Sequence, residues 1–394
     1  MTACSLTRKG KHPSMELAPA SLPPILPEGG DGNRLRHRGC CAAGLAAILA
    51  GGLTGGCSEG PAVVARTDLP AVYAVVETEP VRGGGDAADD PAIWIHPADA
   101  SLSRVLGTDK RRGLSVYDLS GREVQFLPRG RVNNVDLRQG VAMAGGPATL
   151  AVATNRTERA MDVFTVSAEG QVELALAQAL EIGDPYGICM HLDAAGIAYA
   201  YVNGSDGEYE IWRLNEGGEL KPERIDRFSL PTKPEGCVVD DRTGIAYIGE
   251  EEHGIWKMPA GAGGSGEKTL LDSVDSDRLA ADVEGLDIYR TADGGAILVA
   301  SSQGDYTFAF YDLNDGDRYI GSVRVADDPA SGIDGAEETD GLAVTAVNLG
   351  PGFEQGVLVV QDGFNRQPEE KQNFKLVPWS AVAKVLNLPA PAEK

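Results

Sequence analysis

Basic residues are in short supply. The 394-residue chain carries 35 Lys and Arg against 58 Asp and Glu, a formal net charge of −23 and a pI near 4.6. That balance excludes general nucleic-acid binding, which needs a cationic face. An anionic substrate stays open wherever bound cations invert the local field. Cysteine is scarce and unevenly placed: Cys4, Cys40, Cys41 and Cys57 lie near the N-terminus, then only Cys189 and Cys237 follow. No CxxC pair and no Cys/His spacing points to zinc, and the two body cysteines are either a disulfide or two buried thiols. Long stretches with a 3.6-residue apolar period are missing, which excludes a helical bundle. No GxSxG elbow and no RHGxR motif is present, so nothing indicates a serine or histidine nucleophile.

The one apolar run near the N-terminus is too short for a good transmembrane helix. It reads "RLRHRGCCAAGLAAILAGGLTGGC", residues 34–57, with Arg34, Arg36 and Arg38 ahead of small apolar residues. That is an export signal, and Cys57 at its end favours a lipoprotein over simple secretion. The body is then an outer-membrane or cell-surface lipoprotein, otherwise periplasmic or secreted, touching membrane only through a lipid on Cys57. Residues 1–33 are expected to be a disordered extension or a misassigned start, residues 58–72 a linker and 389–394 a tail. Without its first 57 residues the chain keeps 29 basic and 55 acidic side chains, a balance of −26.

What the body does have is glycine (50 in the chain), 42% hydrophobic residues and short alternating strands broken by Gly, Asp and Asn. Two patterns repeat. An apolar-aromatic strand followed by a polar turn appears as "LSVYDLSG", "MDVFTVSAEG", "YEIWRLNEGG", "GIWKMPAG", "FAFYDLNDG" and, more loosely, "NFKLVPW". Its first five aromatics, Tyr117, Phe164, Trp212, Trp256 and Tyr311, are 47, 48, 44 and 55 residues apart. In step with it, a polar residue opens a short apolar strand at Asp90, Asn134, Tyr186, Glu235, Glu284 and Asp340. A period of roughly 40–50 residues with about four strands each is the signature of a β-propeller, here all-β with six blades over residues 73–388. Most of the aromatics are then blade packing.

Blades are radial, so equivalent positions form a ring. The starts of the inner strands would place Asp90, Asn134, Tyr186, Glu235, Glu284 and Asp340 around one channel mouth. Four of the six are carboxylates, which repel one another unless a cation sits among them. Calcium, with six to eight oxygen ligands, suits such a ring. Asp86, Asp89 and Asp90 in "GDAADDPAIWIHP" are, taken alone, a solvated turn or half of a cation site; the ring favours the second. A further ring in the loops before the aromatic strands carries Lys110, Arg156, Ser205, Glu251, Gln303 and Asp362. Lys110 and Arg156 beside a calcium cluster fit a multiply charged phosphate ester. Asn133, Asn134 and Asp136 hold a structural calcium or a blade turn, and Asp193, Asp240 and Asp241 are expected in turns.

These residues also carry a resemblance. "GDAADDPAIW", "NNVDLR", "TNRTE", "EGCVVDD", "EEHGIWK", "DVEGLDIY", "ASSQGDY", "ETDGLAV" and "KQNFKLVPW" resemble the β-propeller phytases, the calcium-dependent 3-phytases, from about Tyr73 to Leu386. The resemblance implies hydrolysis of phosphomonoesters of myo-inositol hexakisphosphate by direct attack of metal-activated water, with several Ca²⁺ ions. It implies calcium ligation by Glu77, Asp89, Glu235, Glu251, Asp282, Glu284 and Asp340, with Asp90 and Gln303 as further ligands. It assigns phosphate binding to Lys110, Arg156 and Tyr186. Ser205 stands where members of the family carry Lys, which removes a cation near a second phosphate position; Arg111 or Arg112 is the expected compensation. Two other readings stay open: a lactonase-type calcium propeller, and a calcium-stapled binding module. A monomer with no protein partner is expected.

Overall fold

The computed structural model describes residues 66–261, 267–291 and 293–388. The extension, the export signal with Cys57, and the tail fall outside them. The strands form six sheets, each a meander running from the channel outward. The innermost strands are Ala88–Trp94, Val132–Val141, Pro185–Leu192, Pro234–Asp240, Val283–Arg290 and Leu342–Thr345, heading blades one to six. Each touches the next, and the sixth touches the first. The all-β, six-bladed architecture expected from the two repeats is therefore the architecture found.

Closure is made at the N-terminal side. Val76–Glu77 is the outermost strand of blade six and pairs antiparallel with Asn373–Pro378. Ala71–Val72, inside the segment read as a linker, runs parallel to the outer strand of blade five, Arg318–Val325. The helix Trp379–Leu386 packs Trp379 on Tyr289, ring centres 3.6 Å apart.

No single core exists. Six apolar clusters each join two neighbouring blades, which is how a sheet buries both faces in a radial array. Tyr117, Phe164, Trp212, Tyr311 and Phe374 are buried within them, so the repeated aromatics are packing residues. Trp256 is half-buried, and its Nε1 donates to Glu250 Oε2 at 2.7 Å. Cys189 and Cys237 form a disulfide between the inner strands of blades three and four, Cα atoms 5.6 Å apart.

The inner strands begin irregularly. In blades one to five the pairing register slips between Ala88 and Pro91, Val132 and Val135, Pro185 and Ile188, Pro234 and Cys237, and Val283 and Leu286. A bulge there re-aims a side chain and ends the pairing. The residues inside these slips are the ring residues of the second repeat. Glycine follows several of them because the blades close tightly at this level. A Cβ on Gly187 would lie 1.9 Å from Glu235 O, and one on Gly236 2.1 Å from Glu284 O.

Candidate active site

The bulges deliver acids from several blades to one mouth, which opens into a cleft of about 1120 Å³. Glu235, Glu251 and Glu284 each offer one carboxylate oxygen within 4.8 Å of the others. Asp282 lines the same cleft, as do Gln303 and Asp340, and the Gln303 amide donates to Asp340 Oδ1 at 2.6 Å. Asp89 is 1% exposed beneath them. Neither of its oxygens, nor Glu284 Oε2, accepts a hydrogen bond among the described residues. Buried carboxylate oxygens without donors are costly unless a cation meets them. The donor set, all hard oxygen from several blades, fits calcium.

The electrostatics follow from that crowding. Burial pushes the Asp89 and Glu284 carboxyls well above their ordinary range; neighbouring acids add to the shift, and at Asp89 the Lys110 ammonium opposes it. Burial and Glu235 raise Glu251 to about 7, against Lys233. Asp340 is likewise pushed to about 7 by burial, with Lys110 opposing and Glu235 adding to the rise. Asp282 is raised by burial.

Cations border the acids. Lys110 Nζ lies 2.6 Å from Asp86, 2.8 Å from Asp340 and 3.6 Å from Asp89. Burial would lower its pKa, yet these carboxylates and Glu235 raise it, so it stays charged. Arg156 holds Asp184 through Nε and Nη2 at 3.0 and 2.6 Å and donates to Asn133 Oδ1 at 3.1 Å. Its guanidinium carbon sits 5.1 Å from the centre of the Tyr186 ring. Burial and the surrounding acids raise the Tyr186 phenol, keeping it neutral. Lys110 and Arg156 also line a second recess of about 640 Å³ with Arg111, Arg112, Arg131 and the lone acid Asp86. Arg111 Nε donates to Asp86 O at 2.9 Å. Ser205 Oγ lies 3.5 Å from Asp184, beside the Arg156 pair.

Comparison with known proteins covers the whole of this blade array. The Phytase family matches residues 44–390. A 3-phytase of Bacillus subtilis is 36% identical over 327 residues, 80% of this chain and 85% of that protein. The chain belongs to the phytase family. Two solved structures are more distant. A functionally unknown protein of Desulfotomaculum acetoxidans has a TM-score of 0.41 and 11% identity, covering 59% of this chain and 70% of that one. A chain of the nidogen/laminin complex has a TM-score of 0.40 and 14% identity, covering 64% and 83%.

Within this phytase, two of the acids read as calcium ligands stand apart from the mouth. Asp90 faces the channel below, where its Oδ2 accepts from Val135 N at 3.0 Å. Glu77 lies in blade six, 2.5 Å from Lys375 Nζ, which also sits 2.5 Å from Asp334 and 3.4 Å from Asp362. Asn133 donates to Glu235 Oε1 at 3.0 Å, so it braces the acid cluster. Asp136 turns away into the channel and pairs with Arg138 at 2.9 Å. Asp193 and Asp240 cap turns as expected. Asp241 instead meets Arg138 Nε at 2.7 Å and His191 Nδ1 at 3.0 Å.

Sequence reasoning passed over Lys233 and Arg131. Lys233 lies two residues before Glu235, and its Nζ is 2.7 Å from Glu251 Oε1 and 4.3 Å from the Tyr186 ring centre. The signal was available: the residue two before each ring position is Asp184, Lys233, Asp282 or Glu338 in blades three to six. That is a third register of charged side chains at the mouth.

Proposed function

We propose that this chain is a calcium-dependent 3-phytase, hydrolysing myo-inositol hexakisphosphate to lower inositol phosphates and inorganic phosphate. The observation that carries the reading is the pairing of donor-free buried carboxylates with fixed cations in one cleft. Asp89, Glu235, Glu251, Asp282, Glu284 and Asp340 would hold calcium, with Gln303 beside them. Bound calcium would supply a Lewis acid and an acidified water. The chain's own residues do the rest. Lys110 and Arg156 hold the phosphoryl oxygens and offset the charge that spreads over them as the P–O bond to the inositol oxygen breaks. Tyr186, neutral and fixed between cations, offers a hydrogen bond to one oxygen. Asn133 orients both Glu235 and Arg156. The recess of Arg111, Arg112 and Arg131 receives a neighbouring phosphate of the same ring, so Arg111 rather than Ser205 serves that subsite. A merely calcium-stapled module has no use for five cations beside its acids.

The Cys189–Cys237 disulfide supports an oxidising compartment, in keeping with export and a lipid on Cys57. We take the enzyme to act as a monomer on soluble substrate, without nucleic acid or protein partner. The test is phosphate release from calcium phytate, with and without EDTA, beside Arg156→Ala. We expect release that EDTA abolishes and the variant cuts at least 100-fold, the scale of one lost transition-state contact. Full release in EDTA would overturn the metal-dependent reading.

A further inference from the structure

We propose that Lys233 is a phosphate-binding residue of this cleft, seated on Glu251 until a cation takes that carboxylate. The proposal rests on the phytase reading and adds a residue to it. Lys233 and Arg156 share one aromatic ring, at 4.3 and 5.1 Å from the centre of Tyr186. Lys110 enters the cleft from blade one and Lys233 from blade four, so the acid cluster has a cation on each side. The Lys233 side chain is 38% exposed, within reach of a ligand.

A fold-stabilising role alone does not account for this lysine. At the matching step of blades three, five and six stand Asp184, Asp282 and Glu338, so the architecture does not demand a cation there. The carboxylate it holds, Glu251, is one of the three glutamates whose oxygens could together take a metal ion. A divalent ion on that triad and an ammonium 2.7 Å from Glu251 Oε1 repel each other. The four-carbon stem lets the ammonium swing into the cleft while it stays near Tyr186. A cation is then free to meet a further phosphate on the Tyr186 side of the cleft. Lys110 and Arg156 hold the phosphate being cleaved, and Lys233 holds a neighbour. The substrate class this favours is a small ring bearing adjacent phosphates, against an ester with a single phosphate.

The test compares Lys233→Ala and Lys233→Arg with the parent chain on calcium phytate and on glycerol phosphate, with calcium binding followed by titration calorimetry. We expect Lys233→Ala to raise KM for phytate about tenfold, about 1.4 kcal/mol, with kcat little changed. KM for glycerol phosphate should move less than about twofold, and Lys233→Arg should restore phytate binding. Lys233→Ala should also bind calcium several-fold more tightly, because no ammonium competes for Glu251. Equal KM changes on both substrates, or an unchanged calcium affinity, would overturn the proposal. The calorimetric result decides the competition even if the parent chain releases no phosphate from phytate, the outcome that would sink the phytase reading itself.

Discussion

The mouth of the propeller and the channel beneath it are both lined by acids with displaced titration, yet they are built for opposite ends. In the channel Asp287 is pushed to about 7 by burial, as Glu251 and Asp340 are at the mouth. The difference lies in the donors. Asp287 accepts from Ile288 N and Val344 N, both at 2.7 Å. Asp136 accepts from Leu137 N at 2.6 Å, Met190 N at 2.7 Å and Arg138 Nη1 at 2.9 Å. Asp241 takes Leu192 N, Arg138 Nε and His191 Nδ1, and the last two help hold its carboxyl below the usual range against burial. Asp89 has no donor at all among the described residues. A raised carboxyl therefore does not by itself identify a metal site. What sets the mouth apart is that Asp89 and Glu284 keep buried oxygens to which no described residue donates, and such oxygens are the ones a bound cation would satisfy.

That contrast predicts a separation of function from stability. Glu235→Gln removes the acid central to the mouth. We expect activity to fall about 10²- to 10³-fold and calcium affinity to drop, with the metal-free melting temperature unchanged or higher, because mutual repulsion is relieved. Arg138→Ala should do the reverse. It leaves Asp136 and Asp241 without their cation. Breaking a fully buried pair costs about 3–5 kcal/mol, and we take about 2–3 kcal/mol here because these side chains are partly solvated. Denaturant unfolding should show that loss while calcium affinity at the mouth stays within about twofold. If Arg138→Ala abolished calcium binding, or Glu235→Gln unfolded the protein, the two regions would not be the separate devices described.

Much of this was legible because a propeller repeats. Six aromatic strands and six polar strand-openers, in step, gave the blade count, the channel and four carboxylates of the ring. The resemblance supplied the acids between the repeats. What a linear reading could not supply was direction. Asp89 and Asp90 are adjacent, yet the bulge between Ala88 and Pro91 sends Asp89 towards the acid cluster and Asp90 towards the channel. Glu77 was read as part of the mouth, but strand closure carries it to the outer edge of blade six, beside Lys375. Lys233 escapes a search among apolar and acidic repeats, because at its step three other blades carry acids, Asp184, Asp282 and Glu338, and blade four alone of these carries a base. The disulfide was open in sequence because only the closeness of two inner strands decides it.

The smallest expected effect is also the sharpest probe of the comparison, and it concerns pH. Glu251 and Asp340 titrate near 7 when folded, against ordinary values of 4.5 and 3.8. Between about pH 5 and 7 the unfolded chain has released these protons while the folded chain still holds them. The folded state then binds more protons, so its stability falls as pH rises, by at most about 1.4 kcal/mol per pH unit for each such proton. Carboxyls held low when folded, such as Asp241 and Asp272, are already ionised in both states over this range and do not contribute. In EDTA the melting temperature should decline from pH 5 to 7. If calcium is the bound ion it takes the ionised carboxylates, so millimolar calcium should reverse the slope for the mouth but not for Asp287, which lies in the channel. Glu235→Gln should shrink the decline in EDTA, since Glu235 helps raise both Glu251 and Asp340, and should leave the Asp287 share intact. A melting temperature that climbed steadily from pH 5 to 7 in EDTA would mean that burial does not hold up the Glu251 and Asp340 carboxyls in the folded mouth, and the distinction between the two regions would fail.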